Sequence, residues 1–156
     1  MYVPRPLAFA LRHIVNTASL AGLTPVPLLV PYSMTEHAVV GLSNSLRLEA
    51  ARYGVRVSAL CPAAIETPLL SADNPSDLGI SWRPNTRRYL ARLSGPAYPV
   101  ARLADDALRG VERNDGLIII PGRARLSALL CRIAPGLVQS GIRKALAAER
   151  RDRVRT

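Results

Sequence analysis

The spacing of apolar and polar residues changes several times along the chain, and each change marks an element. His13-Ile14-Val15-Asn16-Thr17 is a short β-branched run, the pattern of a buried strand. From Ser33 to Tyr53 the apolar positions Ala38, Val39, Leu42, Leu46 and Ala50 return at helical spacing, and Gly54 is a natural stop. Val55 to Cys61 predicts a second strand, closed by Pro62. Residues 66–98 lose any period and carry Pro68, Pro75, Pro84 and Pro96 among Ser, Asn, Gly and Arg, which predicts a long loop or short-helix excursion. Val100 to Arg113 is helical again, Asn114-Asp115-Gly116 is a turn, and Leu117 to Ile120 is a third strand, continuously apolar as buried parallel strands are. Residues 124–150 form one helical region broken near Pro135-Gly136, and residues 1–11, with two prolines and no clear period, are an irregular lead.

Strands alternating with helices imply βαβ units and an α/β fold on a parallel sheet. Three strands make a thin sheet whose edges need cover. The expected organisation is a lead at 1–11, an α/β unit at 12–122 interrupted by the 66–98 excursion, and a helical tail at 123–156. A chain of 156 residues with 49% hydrophobic and 21% charged residues is globular in composition, not disordered. The net charge of +10 is unevenly placed: residues 1–122 hold 12 basic and 9 acidic side chains, residues 123–156 hold 9 and 2. Such a tail can attract RNA, DNA or anionic lipid. The absence of zinc-finger spacing or an aromatic nucleic-acid motif speaks against nucleic acid. Leucines and isoleucines alternating with arginines in the tail allow peripheral membrane contact, against the plainer reading of a helix that covers the sheet. Cys61 and Cys131 give neither a disulfide framework nor a metal site, and with no secretory signal the expected compartment is the cytoplasm.

Three pieces that carry chemistry follow in a fixed order. Ile14-Val15-Asn16-Thr17-Ala18-Ser19 is a strand running into a serine. Tyr32 precedes Ser33-Met34-Thr35-Glu36 at a helix start, 13 residues after Ser19. Cys61-Pro62-Ala63-Ala64-Ile65-Glu66-Thr67-Pro68 closes the second strand. This order resembles the C-terminal half of the short-chain dehydrogenase/reductase family, closely over residues 12–70 and more loosely to about 140. The resemblance implies a partial Rossmann-like fold, a doubly wound parallel sheet lacking its N-terminal dinucleotide-binding half. It also implies hydride transfer between NAD or NADP and a small-molecule alcohol or ketone. In that scheme Tyr32 exchanges a proton with the substrate oxygen and Ser19 hydrogen-bonds it. Pro62, Ala63 and Thr67 contact the nicotinamide end of the cofactor. Trp82 and Tyr89, in the excursion that matches the family's substrate loop, are candidates for lining the substrate pocket. No metal is implied.

Two departures from the pattern bear on activity. The family places a lysine four residues after the tyrosine, one turn away on the same helix face, where its cation lowers the tyrosine pKa. Here that residue is Glu36. At 4 Å and an effective dielectric near 20 a unit charge is worth up to about 4 kcal/mol, or roughly 3 pKa units, and Glu36 applies it with the opposite sign. The sole lysine, Lys144, lies in the tail. His37, the next helical residue, points off the Tyr32 face. The Gly-rich turn that grips a pyrophosphate also has no counterpart. The expectation is thus a truncated oxidoreductase of this type, impaired in proton transfer. The alternative is a non-catalytic remnant that forms a homo-oligomer, or pairs with a full-length relative, through the Ser33–Tyr53 helix with its small residues Ala38, Gly41 and Ser45.

Overall fold

The computed structural model describes residues 12–71 and 85–152. The lead at 1–11 and Trp82 lie outside the described residues. Three strands, β1 (Arg12–Thr17), β2 (Val55–Pro62) and β3 (Leu117–Ile120), form one parallel sheet in the order β1-β2-β3. In register, Ile14 pairs with Val57, Thr17 with Leu60, and Cys61 with Ile119. Parallel pairing demands crossover connections. The first is α1 (Val30–Ala50), and the second runs through α2 (Thr86–Ser94) and α3 (Val100–Glu112). The helices α4 (Ala124–Ile133) and α5 (Pro135–Asp152) follow β3.

Local chemistry accounts for the boundaries. The first helix starts at Val30, three residues before the sequence signal, because Pro31 sits in the first turn, where a missing N–H costs nothing. It ends in a single 3-10 turn, Ala51–Tyr53, and Gly54 takes the left-handed conformation (φ 67°) that a residue with a Cβ adopts only under strain. The excursion resolves in part into α2, capped by Asn85, whose side chain accepts the Arg88 N–H. The break in the tail falls at Ala134, between α4 and α5.

The central strand is the core. Val57, Ala59 and Cys61 are fully buried. One cluster joins Ala59 and Cys61 to Ala18 and Val40, with Leu23, Val39, Leu117 and Ile119 packed around them. A second joins Leu20 to Ala124 and Ala128 of α4. On the other side α3 comes so near β3 that a Cβ added at Gly110 would stand 2.7 Å from Ile118 Cγ2. Helices therefore cover β2 and β3 from both sides, as a parallel sheet requires. At the margin, β1 leaves Ile14 and Val15 about 40% exposed.

Candidate active site

Parallel strands end on one edge of a sheet, and ligands of open α/β sheets bind there. The ends of β1 and β2 meet on that edge. Beyond Thr17 the Ala18 N–H donates to the Leu60 carbonyl (2.8 Å), which carries the pairing one residue further. Ser19 then caps a 3-10 turn, Leu20–Gly22. Its Oγ accepts the Ala21 N–H (3.1 Å) and donates to the Pro62 carbonyl (3.4 Å), so one hydroxyl joins both strand ends.

The same turn seats the helix that carries the tyrosine. A Cβ at Gly22 would fall 2.6 Å from the Glu36 carbonyl oxygen, so only glycine lets the turn lie against α1. Ser33 Oγ donates to the Ala21 carbonyl (2.8 Å) and clamps the first turn of α1 to it. This brings the Tyr32 hydroxyl close enough to Ser19 for that side chain to act on its pKa. The two residues that the sequence spacing singles out thus come together at the carboxyl edge of the sheet.

The electrostatics of the pair follow from its surroundings. Burial pushes the Tyr32 hydroxyl above its ordinary value, the nearby Ser19 hydroxyl opposes this, and the Glu36 charge adds to it. Glu36 stands one turn along α1. Its Oε2 is buried with no hydrogen-bond partner, and burial raises its own pKa. Among the described residues no cation pairs with it. Cys61 is fully buried beneath the pair, its thiol pushed up to about 12 by burial and by Glu36, and is inert as a nucleophile. His37 is exposed and bonded to the Ser33 carbonyl (2.8 Å), off the site.

The loop after β2 is held more firmly than its sequence suggests. The Ala63 N–H is spent on the Ile120 carbonyl (2.7 Å). Tyr98 pairs with the loop as a strand would: its N–H donates to Ala64, its carbonyl accepts the Glu66 N–H (both 2.8 Å), and it forms a parallel bridge with Ile65. The Tyr98 hydroxyl donates to Asp106 of α3 (2.8 Å). Glu66 binds Arg87 of α2 through both carboxylate oxygens at 2.6 Å. Between them Thr67 makes only a long bond to the Ile65 carbonyl (3.4 Å), leaving its hydroxyl oxygen able to accept. Sequence reasoning missed Tyr98, Arg87 and Glu66 as supports, and no short-range signal could have found them, since the partners lie 8 to 34 residues apart.

Tyr89 is 1% exposed and faces Glu149 of α5, so among the described residues it packs at the α2–α5 junction. The cause is Glu149, itself 1% exposed, which draws α2 down onto α5. Its carboxylate accepts the Asn85 N–H (2.9 Å), Arg88 Nε and Nη2 (3.2 and 2.9 Å) and Arg92 Nη1 (2.8 Å).

With this geometry in place, residues 12–77 match the family model described as short chain dehydrogenase. The chain belongs to the short-chain dehydrogenase/reductase family. A 2,5-dichloro-2,5-cyclohexadiene-1,4-diol dehydrogenase of Sphingobium indicum is 40% identical over 83 residues, which are 53% of this chain and 33% of the relative. A solved short-chain dehydrogenase from Sphingobium yanoikuyae in complex with NADPH is 27% identical with a TM-score of 0.54, over 88% of this chain and 45% of that one. A short chain dehydrogenase/reductase from Burkholderia phymatum in complex with NAD is also 27% identical, with a TM-score of 0.62 over 80% and 48% of the two chains. The chain therefore spans less than half the length of these relatives. Its sheet is Rossmann-like, of three parallel strands with flanking helices.

Proposed function

We propose that this chain carries the substrate side of an NAD- or NADP-dependent oxidoreductase acting on an alcohol or ketone, and that its proton-transfer step is weakened. The observation that carries the reading is the meeting of Tyr32 and Ser19 at the carboxyl edge of the sheet, with Glu36 one turn away. The cofactor supplies a hydride when bound. The residues fit its nicotinamide end: the buried, unpartnered Glu36 Oε2 can accept a ribose hydroxyl, and Thr67 can accept an amide N–H. The Ala63 N–H, already bonded to Ile120, stays out of that contact. Among the described residues no Gly-rich strand–helix turn is present to hold a pyrophosphate.

The chain's own residues would then act as follows. Ser19 orients the substrate oxygen and Tyr32 shares a proton with it. Ketone reduction needs Tyr32 to give up that proton, and alcohol oxidation needs it to begin as tyrosinate. Burial and Glu36 both disfavour tyrosinate, so both directions are slowed. The outer face of α1, where Met34, Leu42 and Leu48 are 60–80% exposed, supports subunit pairing there. Two unpaired cysteines agree with a reducing, cytoplasmic setting.

Nicotinamide fluorescence tests the binding part of this reading. Titration with NADH and NADPH should show saturable binding that Thr67→Ala weakens and Tyr32→Phe leaves in place. No binding of either cofactor would overturn the assignment for this chain.

A further inference from the structure

The helix α4 packs with its small side chains inward and its large ones outward. Ala124 and Ala128 are buried against Leu20 beside the sheet. Leu126, Leu129 and Ile133, which recur at helical spacing on the opposite side, are 60%, 52% and 68% exposed, and Leu137 in the first turn of α5 is 72% exposed. An ordinary surface helix does the reverse. The same two helices carry exposed cations: Arg125 and Arg132 flank the row on α4, and Arg143, Lys144, Arg150 and Arg151 follow on α5. The two acids of this region are paired with arginines of α2. Glu149 is buried under Arg88 and Arg92, and Asp152 binds Arg92 (2.7 Å).

We propose that the outward face of α4 and the start of α5 docks on an anionic lipid surface. The charge selects an anionic partner and disfavours a second copy, which would bring like charges together. The row is one helix wide and, at ten residues, about 15 Å long. That falls short of the roughly 800 Å² that each partner buries in a stable protein interface. It suits a helix lying in a membrane interface, with leucines at the acyl boundary and arginines among the headgroups. No helix of the described residues is long and apolar enough to cross a membrane, so the contact is peripheral. The cofactor chemistry plays no part in it.

Vesicle flotation of the full chain tests the proposal. The chain should float with mixed phosphatidylcholine–phosphatidylserine vesicles and stay behind with phosphatidylcholine alone. The triple variant Leu126→Gln, Leu129→Gln, Ile133→Gln should lose flotation while keeping its circular dichroism spectrum and melting curve, since all three side chains are already in water. Arg125→Gln and Arg132→Gln should each weaken binding roughly fivefold, and Leu48→Gln on α1 should change nothing. Failure of the wild type to float, undiminished flotation of the triple variant, or loss in Leu48→Gln would overturn the proposal. So would a wild-type dimer that the triple variant dissociates, because a second copy would then be the occupant.

Discussion

At the scale of single residues, the site departs from the family pattern by a change of charge sign at position 36. The family pattern puts a cation beside the catalytic tyrosine, and this chain puts a carboxylate there. Tyr32 is therefore held above its ordinary pKa. Alkaline titration of the phenolate band, read as wild type minus Tyr32→Phe, should place its midpoint above that of an ordinary phenol, and Glu36→Lys should lower that midpoint. An unmoved or rising midpoint would mean that the Tyr32 hydroxyl does not sense position 36. Glu149 supplies a second test. Burial alone would raise its carboxyl, but the Arg88 and Asn85 hydrogen bonds and the Arg92 charge outweigh this and hold it below its usual value. A carboxyl depressed in the folded state stabilises the fold above its unfolded pKa, and that stability is lost as pH falls through the folded one. Glu149→Gln should thus cost about 1–2 kcal/mol at neutral pH and flatten the acid limb of thermal stability below the ordinary carboxylate range. An unchanged limb would show that the clamp contributes nothing. The Ser19–Tyr32 pair was legible because both residues sit in local motifs at a recognisable spacing. Glu149 was not, because its partners lie about 60 residues away and a lone Glu in a basic helix reads as solvated.

At the scale of elements, strands were the most legible parts. Val55–Pro62 and Leu117–Ile120 are dense in β-branched or apolar side chains and bounded by Gly or Pro, so pattern and fold agree. The helix α2 was hidden because its sequence, TRRYLARLS, is dominated by arginine, and its place is fixed from outside by Glu66 and Glu149. Glycines at close approaches give sharp tests here. Gly110→Ala drives a methyl to 2.7 Å from Ile118 Cγ2 and should cost about 1–3 kcal/mol in chemical denaturation, unless α3 lies further from β3 than described. Gly22→Ala meets backbone at 2.6 Å, so the helix cannot yield by a rotamer change. It should separate the Leu20–Gly22 turn from α1 and abolish the Ser19 effect on Tyr32 titration.

At the scale of the whole molecule, the parallel α/β class was legible from the alternation of strands and helices, but the openness of β1 was not. Periodicity tells a buried strand from an exposed one only when both neighbours are known, and Ile14 and Val15 read as core while standing about 40% exposed. Amide exchange should follow the sheet order. The β2 amides should exchange slowest, and those of β1 that face away from β2 should exchange orders of magnitude faster. Equal protection would mean that another segment covers the margin. The proposed proton transfer rests on the Tyr32–Ser19 edge of the sheet, and one measurement addresses it most directly. Reduction of a simple ketone by NADH or NADPH should be compared between the wild type and Glu36→Lys across neutral to alkaline pH. Turnover should be slow in the wild type, level through neutral pH and falling at alkaline pH as Tyr32 loses its proton, and the variant should gain about 100-fold at neutral pH, lost again when Tyr32→Phe is added. Fast wild-type turnover at neutral pH that Tyr32→Phe leaves unchanged would contradict the proposed proton transfer.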